Sequence, residues 1–142
     1  MTVKLQRAVR ISGAVLAALA LGLCMPRQVA AQGTSASPEA LCRTLSQQML
    51  DALTRGDSRA ASSAFDANMR SALPPDKLAE LWRQVQQNYG SLKARGTVQS
   101  LQVNGLDVVI IPMRFSRTTL DAQVACNPQQ QIAGFFLRPV SA

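Results

Sequence analysis

Hydrophobic residues recur every three to four positions in the first part of the chain and every two in the second, and the change falls near Gly90-Ser91. Leu41, Leu45, Met49 and Leu53 form a stripe that Cys42 and Ala52 widen, so a helix is expected from Pro38 to about Thr54. Ser37 stands at its cap, Pro38 suits the first helical position, Glu39 places an acid in the first turn, and Gly56 stops it. Asp57 is positioned to cap a shorter second helix through Ala60, Ala61 and Ala64 to Phe65, trailing to Met69 before Pro74-Pro75 breaks the chain. A third helix opens at Pro75-Asp76, carries Leu78, Leu81, Trp82, Val85 and Tyr89 on one face, and ends at Gly90.

Beyond Gly90 the alternation is that of strands. Asn104-Gly105, flanked by Val103 and Leu106, is a strong hairpin signal because both residues tolerate the positive φ of a type I′ turn. Arg117-Thr118 is read as a second turn that pairs Phe115 with Leu120, and Asn127 to Gln130 as a third, between a strand ending at Cys126 and one running from Ile132 to Arg138. Helices followed by antiparallel strands make an α+β domain, with N-terminal helices packed on one face of a four-stranded sheet. Val109, Ile111, Met113 and Phe115 should join Leu120, Ala122 and Val124 on that face, and Pro112 marks a bulge or an edge. The opposite face is apolar too, since Leu101, Val103, Leu106, Val108 and Ile110 share a side. That leaves two readings open, a homodimer formed across the sheet through Leu101, Val103, Val108 and Ile110, or burial of this face by a terminus or loop.

Composition alters this picture mainly at the N-terminus of the 142-residue chain. Lys4, Arg7 and Arg10 precede an uncharged run from Ile11 to Cys24, and Val29-Ala30-Ala31 is a small-residue cleavage site. Residues 1–31 read as an export signal, 32–37 as a linker and 38–142 as one domain, released to the periplasm or the extracellular space. The apolar run is shorter than the roughly 20 residues a bilayer requires, so no stable span is expected after cleavage. Leu21-Gly22-Leu23-Cys24 resembles a lipoprotein box, but Leu23 occupies a position that requires a small residue, which argues against a lipid anchor at Cys24.

Cleavage removes four of the 15 basic residues and none of the eight acids, lowering the net charge from +7 to 11 − 8, or +3. The basic residues that remain are scattered among acids without aromatic interleaving, so nucleic acid is not an expected partner. Cleavage also leaves two cysteines, Cys42 and Cys126, both on apolar faces. In an oxidising compartment they form either one disulfide or two buried free thiols.

The stretch Phe65 to Met69, then Leu78, Leu81, Trp82 and Gly90, then the final Ile132-Ala133-Gly134-Phe135-Phe136-Leu137-Arg138-Pro139, resembles an uncharacterised domain of the nuclear-transport-factor-two-like (cystatin-like α+β) superfamily. That domain often precedes α/β hydrolases in secreted bacterial proteins. The likeness spans about Leu41 to Pro139 and implies a cone in which a curved antiparallel sheet wraps a long helix, enclosing a cavity in many relatives. The Asn127 to Gln130 turn departs from the Asp-Gly often found there.

Chemistry is narrowly bounded, because the chain has no histidine and every imidazole-based triad, metal cage or proton shuttle is excluded. No metal site or cofactor is expected. Enzymes within the resembled superfamily pair a carboxylate base with a tyrosine or histidine, which leaves an isomerase- or hydrolase-like site built on Tyr89, the lone tyrosine, and a carboxylate as the alternative. Asp51, Asp76, Glu80, Asp107 and Asp121 read more simply as caps or surface charges. The favoured expectation is a non-catalytic envelope module that takes a small apolar ligand or a protein partner in a cavity lined by Phe65, Trp82, Tyr89, Met113 and Phe115. A filled core is the competing reading of those five side chains.

Overall fold

The computed structural model describes residues 35–140. The expected export signal, its cleavage site and Cys24 lie outside the described residues. Helix α1 (Pro38–Thr54) begins where expected: Ser37 Oγ accepts from the Ala40 amide at 3.2 Å, and Pro38 occupies the first turn. Its buried stripe is Cys42, Ser46, Met49, Leu50 and Leu53, rotated from the expected one, so that Leu41 is exposed. The rotation has a covalent cause, because Cys42 is bonded to Cys126 and turns the start of the helix onto the sheet. Ser46 is tolerated in the buried row because its hydroxyl donates to the Cys42 carbonyl at 2.7 Å.

The expected second helix is two helices, α2 (Ser58–Ala61) and α3 (Ala67–Ala72), each capped by an aspartate: Asp57 Oδ1 accepts from Ala60 and Asp66 Oδ1 from Met69. The break is made by Phe65, fully buried and in a parallel bridge with Ile132; the Ile132 amide donates to Ala64 and the Asp66 amide to Ile132. These main-chain bonds to a distant strand replace helical ones. Helix α4 (Pro75–Tyr89) buries Leu78, Trp82 and Val85 and ends at Gly90, whose φ of 86° suits glycine. Arg117 donates to the Gln87 and Asn88 carbonyls, satisfying two acceptors at that helix end.

The sheet is open and antiparallel and has five strands, one more than expected: β1 (Leu92–Arg95), β2 (Gln99–Val103), β3 (Leu106–Phe115), β4 (Thr119–Cys126) and β5 (Ile132–Pro139). The added strand comes from a division, since β1 and β2 both pair with β3 along the same edge. Between them Gly96, Thr97 and Val98 face only Ile111 and Pro112, and the Gly96 amide donates to the Pro112 carbonyl at 2.7 Å. Pro112 has no N–H to offer the edge strand, so the ladder is interrupted there. A Cβ on Gly96 would lie 3.0 Å from Pro112 Cβ, which leaves little room for another residue.

Asn104 and Gly105 join β2 to β3 with φ of 51° and 78°, and Val103 pairs with Leu106. The next turn falls one residue earlier than expected, at Ser116-Arg117. Thr118 accepts from the Phe115 amide, and Leu120 pairs with Met113, not with Phe115. Inward side chains of β3, β4 and β5, including Ile111, Met113, Phe115, Leu120, Val124 and Phe135, form one core with the helices.

Candidate functional site

The five side chains expected to line a cavity lie in that core. Phe65 and Met113 are fully buried, Phe115 and Trp82 nearly so, and Tyr89 is half-buried at the end of α4. Phe115 stands between the rings of Trp82 and Tyr89, with centroids 6.0 and 6.5 Å away in tilted contacts. Trp82 also borders a groove of about 190 Å³ with Leu53, Gly56, Ser58 and Gln86, and its indole N–H is buried without a hydrogen-bond partner.

Tyr89 and the buried carboxylate are not brought together. Asp107 is the buried acid, contrary to its reading as a surface charge, because it pairs with Cys126 on the helix-facing side of β3. Its Oδ1 accepts from Gln102 Nε2 at 3.0 Å. Tyr89 packs on Phe115 at the other end of the same strand, so the two groups are separated by about 26 Å of extended chain. Glu80 forms a surface fork with Arg83, at 2.6 and 2.9 Å, and the hydrogen bonds from Arg83 and then Gln84 hold its carboxyl below the usual range. Among the described residues no group of three or more His, Cys, Asp or Glu is placed to hold a metal ion. Cys42 and Cys126 are joined as a disulfide.

The side chains that converge at the surface are on the outward face of the sheet. Register places Leu101 beside Val108, Val103 beside Leu106, and Gln99 beside Ile110, all pointing away from the helices. Together with Gln123, Ala125, Phe136 and Arg138 they line a groove of about 300 Å³, in which Leu101, Val103 and Phe136 are 43%, 42% and 54% exposed. The residues expected on the dimer face, Leu101, Val103, Val108 and Ile110, supply one wall.

Phe136 supplies the other wall, and its part was not read from the sequence. Gly134 makes its position possible: a Cβ there would lie 3.2 Å from Phe136 Cε2, so the bare backbone gives the ring a seat. The Arg138 guanidinium sits 5.7 Å from the centre of the same ring, a cation–π arrangement that keeps the charge over the rim. The signal was present in the alternation of Phe135 and Phe136, one of which must face outward if the other enters the core.

The arrangement offers apolar contact area with Gln123 and Arg138 at its margin. Beyond the groove, outward Pro112, Arg114, Thr119 and Asp121 lie toward the far end of the strands, away from the Asn104-Gly105 hairpin. Among comparisons with known proteins, a family model described as a protein of unknown function, DUF3887, matches residues 46–135. No curated protein and no solved structure matches the chain.

Proposed function

Taking as premise that the chain belongs to the DUF3887 family, we propose that it is an exported, non-catalytic module that docks a protein partner on the outward face of its sheet. The observation that carries this reading is the groove between Leu101, Val103, Val108 and Ile110 on one side and Phe136 on the other. Exposed apolar side chains gathered in one patch, rimmed by Arg138 and Gln123, have the composition of an interface centre with a polar margin. A protein surface suits the shallow, open shape better than a small molecule, which needs most of its own surface enclosed.

Export is supported by the Cys42–Cys126 bond, since structural disulfides persist in oxidising compartments, and by the N-terminal sequence pattern. No helix among the described residues is long and apolar enough to cross a membrane. Placement in the nuclear-transport-factor-two-like superfamily is part of the proposal and is supported by helices N-terminal to an antiparallel sheet and lying on one of its faces. The non-catalytic reading rests on the separation of Tyr89 from Asp107 and on the packed aromatic cluster around Phe115.

A photo-crosslinking side chain at Phe136, compared with one at the exposed Gln48 of α1, tests the docking. The expected result is an adduct with one envelope protein at Phe136 alone. That protein, purified, should bind the chain and lose about 10- to 100-fold in affinity on Phe136→Lys, the equivalent of losing one buried aromatic side chain. Equal adducts from both positions, unchanged affinity, or a small apolar molecule retained in native mass spectrometry and released by Phe136→Lys would overturn the reading.

A further inference from the structure

The edges of the sheet are unequally protected. Along β1, Lys93 and Arg95 bring charge to the edge, and Arg95 is anchored to Asp51 and Thr54 of α1 at 2.6 and 3.0 Å. The start of β5 is covered by the Ala64–Asp66 segment through Ile132, and its end carries Arg138 and Pro139. Charge, proline and cover are the devices that keep a sheet edge from recruiting another strand. The residues of β2 supply neither charge nor proline: the strand reads Gln99-Ser100-Leu101-Gln102-Val103. Among the described residues, β3 is its one strand partner.

We propose that β2 is the seam of a homodimer, in which two copies pair antiparallel about a two-fold axis at Leu101 and join their sheets into one. The absence of charge within the strand favours a second copy as the occupant. A two-fold seam brings the central residues of a strand against themselves, so a charged strand repels its own copy, and β2 meets itself without that cost. Leu101 would face the partner's Leu101, Ser100 would face the partner's Gln102, and Gln99 would face the partner's Val103. On the helix side charges of both signs lie near the seam: Arg43 donates to Ser100 Oγ at 3.0 Å and lies 3.5 Å from Glu39, and Asp107 accepts from Gln102 at 3.0 Å, so the two copies do not meet there with a single sign. On the outward side the apolar strip of Leu101, Val103, Val108 and Ile110 runs up to the seam and continues into its copy.

This edge-to-edge pairing differs from a dimer formed face to face and does not rest on the docking of a partner at Phe136. Phe136 lies three strands from β2, about 14 Å away, and is not part of the seam.

Sedimentation velocity on the full domain from residue 32 to 142, from micromolar to hundreds of micromolar, tests the seam, with circular dichroism confirming each fold. The wild-type chain should dimerise. Leu101→Lys and Leu101→Glu, each alone, should weaken the dimer at least about tenfold, because the axis sets like charges side by side. An equimolar mixture of the two should restore it as a mixed dimer, and Phe136→Lys should leave it unchanged. A monomeric wild-type chain, a mixture that stays monomeric, or loss of the dimer with Phe136→Lys would each overturn the proposal, the last in favour of face-to-face packing. Partner binding at Phe136 is read separately by the crosslinking experiment, so either conclusion can fail alone.

Discussion

Trp82 combines a large apolar contribution with a polar atom that has nowhere to go. Its ring is almost fully buried against Phe115, yet its indole N–H has no partner. Leaving a buried donor unpaired costs about 1–3 kcal/mol, whereas deleting the whole ring costs about 3–5 kcal/mol through lost burial and the resulting cavity. Trp82→Phe removes the orphan donor along with part of the ring, and the two changes oppose one another. Urea unfolding should therefore show Trp82→Phe within about 1.5 kcal/mol of wild type and Trp82→Ala several-fold worse. Equal losses for the two variants would mean that the indole N–H is satisfied in solution. Glu80 behaves in the opposite way, since its charged form is the one favoured by Arg83 and Gln84. A carboxyl lowered in the folded state contributes stability above its unfolded pKa and loses it as pH falls through the lowered value. Carboxyl NMR should find Glu80 titrating below the usual carboxylate range, and Arg83→Ala should raise it. An unmoved titration would show that the Glu80–Arg83 fork is not held in solution.

At the level of elements, the β2–β3 hairpin offers the cleanest separation of backbone from side-chain effects. Gly105 has a φ of 78°, and a Cβ placed on it would have no other atom within 4 Å, so a methyl group there meets backbone strain and no steric clash. Gly105→Ala should cost roughly 1 kcal/mol in thermal unfolding, since left-handed backbone is unfavourable to alanine by about that amount. Stability at the wild-type level would instead place the turn in another conformation. This hairpin was legible in the sequence because its information is local, as were α1 and α4, whose periodicity and capping residues sit within each helix. What was not legible depended on contacts distant in the chain. Phe65 breaks the second helix by bonding near Ile132, the division of β1 from β2 depends on where Pro112 falls opposite Gly96, and the rotation of α1 depends on Cys126. The outward site was half legible for the same reason. Alternation alone put Leu101, Val103, Val108 and Ile110 on one side, but Phe136 joins them only once the β4–β5 register, shifted between Ala125 and Cys126, is known.

For the whole molecule, the Cys42–Cys126 bond links the first helix to the fourth strand across 84 residues. Closing a loop of that length in the unfolded chain stabilises the native state by up to about 4–5 kcal/mol in the chain-entropy description. That stabilisation acts only on openings that separate α1 from β4. Helix α3 has no buried residue and is held largely through its cap and its contacts with β5, so it can open without disturbing the disulfide or the central strands. Strands β3 and β4 carry the inward core side chains and are released only when the core itself comes apart. Native-state hydrogen exchange before and after reduction should therefore separate two classes of amide. Those of β3 and β4 should exchange faster by up to about a thousandfold once the bond is reduced, as about 4 kcal/mol implies. Those of α3 should exchange early and at nearly the same rate in both states. A uniform acceleration that includes α3 would show one cooperative unit, and unchanged rates in β4 would show that the crosslink does not constrain the opening that limits the core.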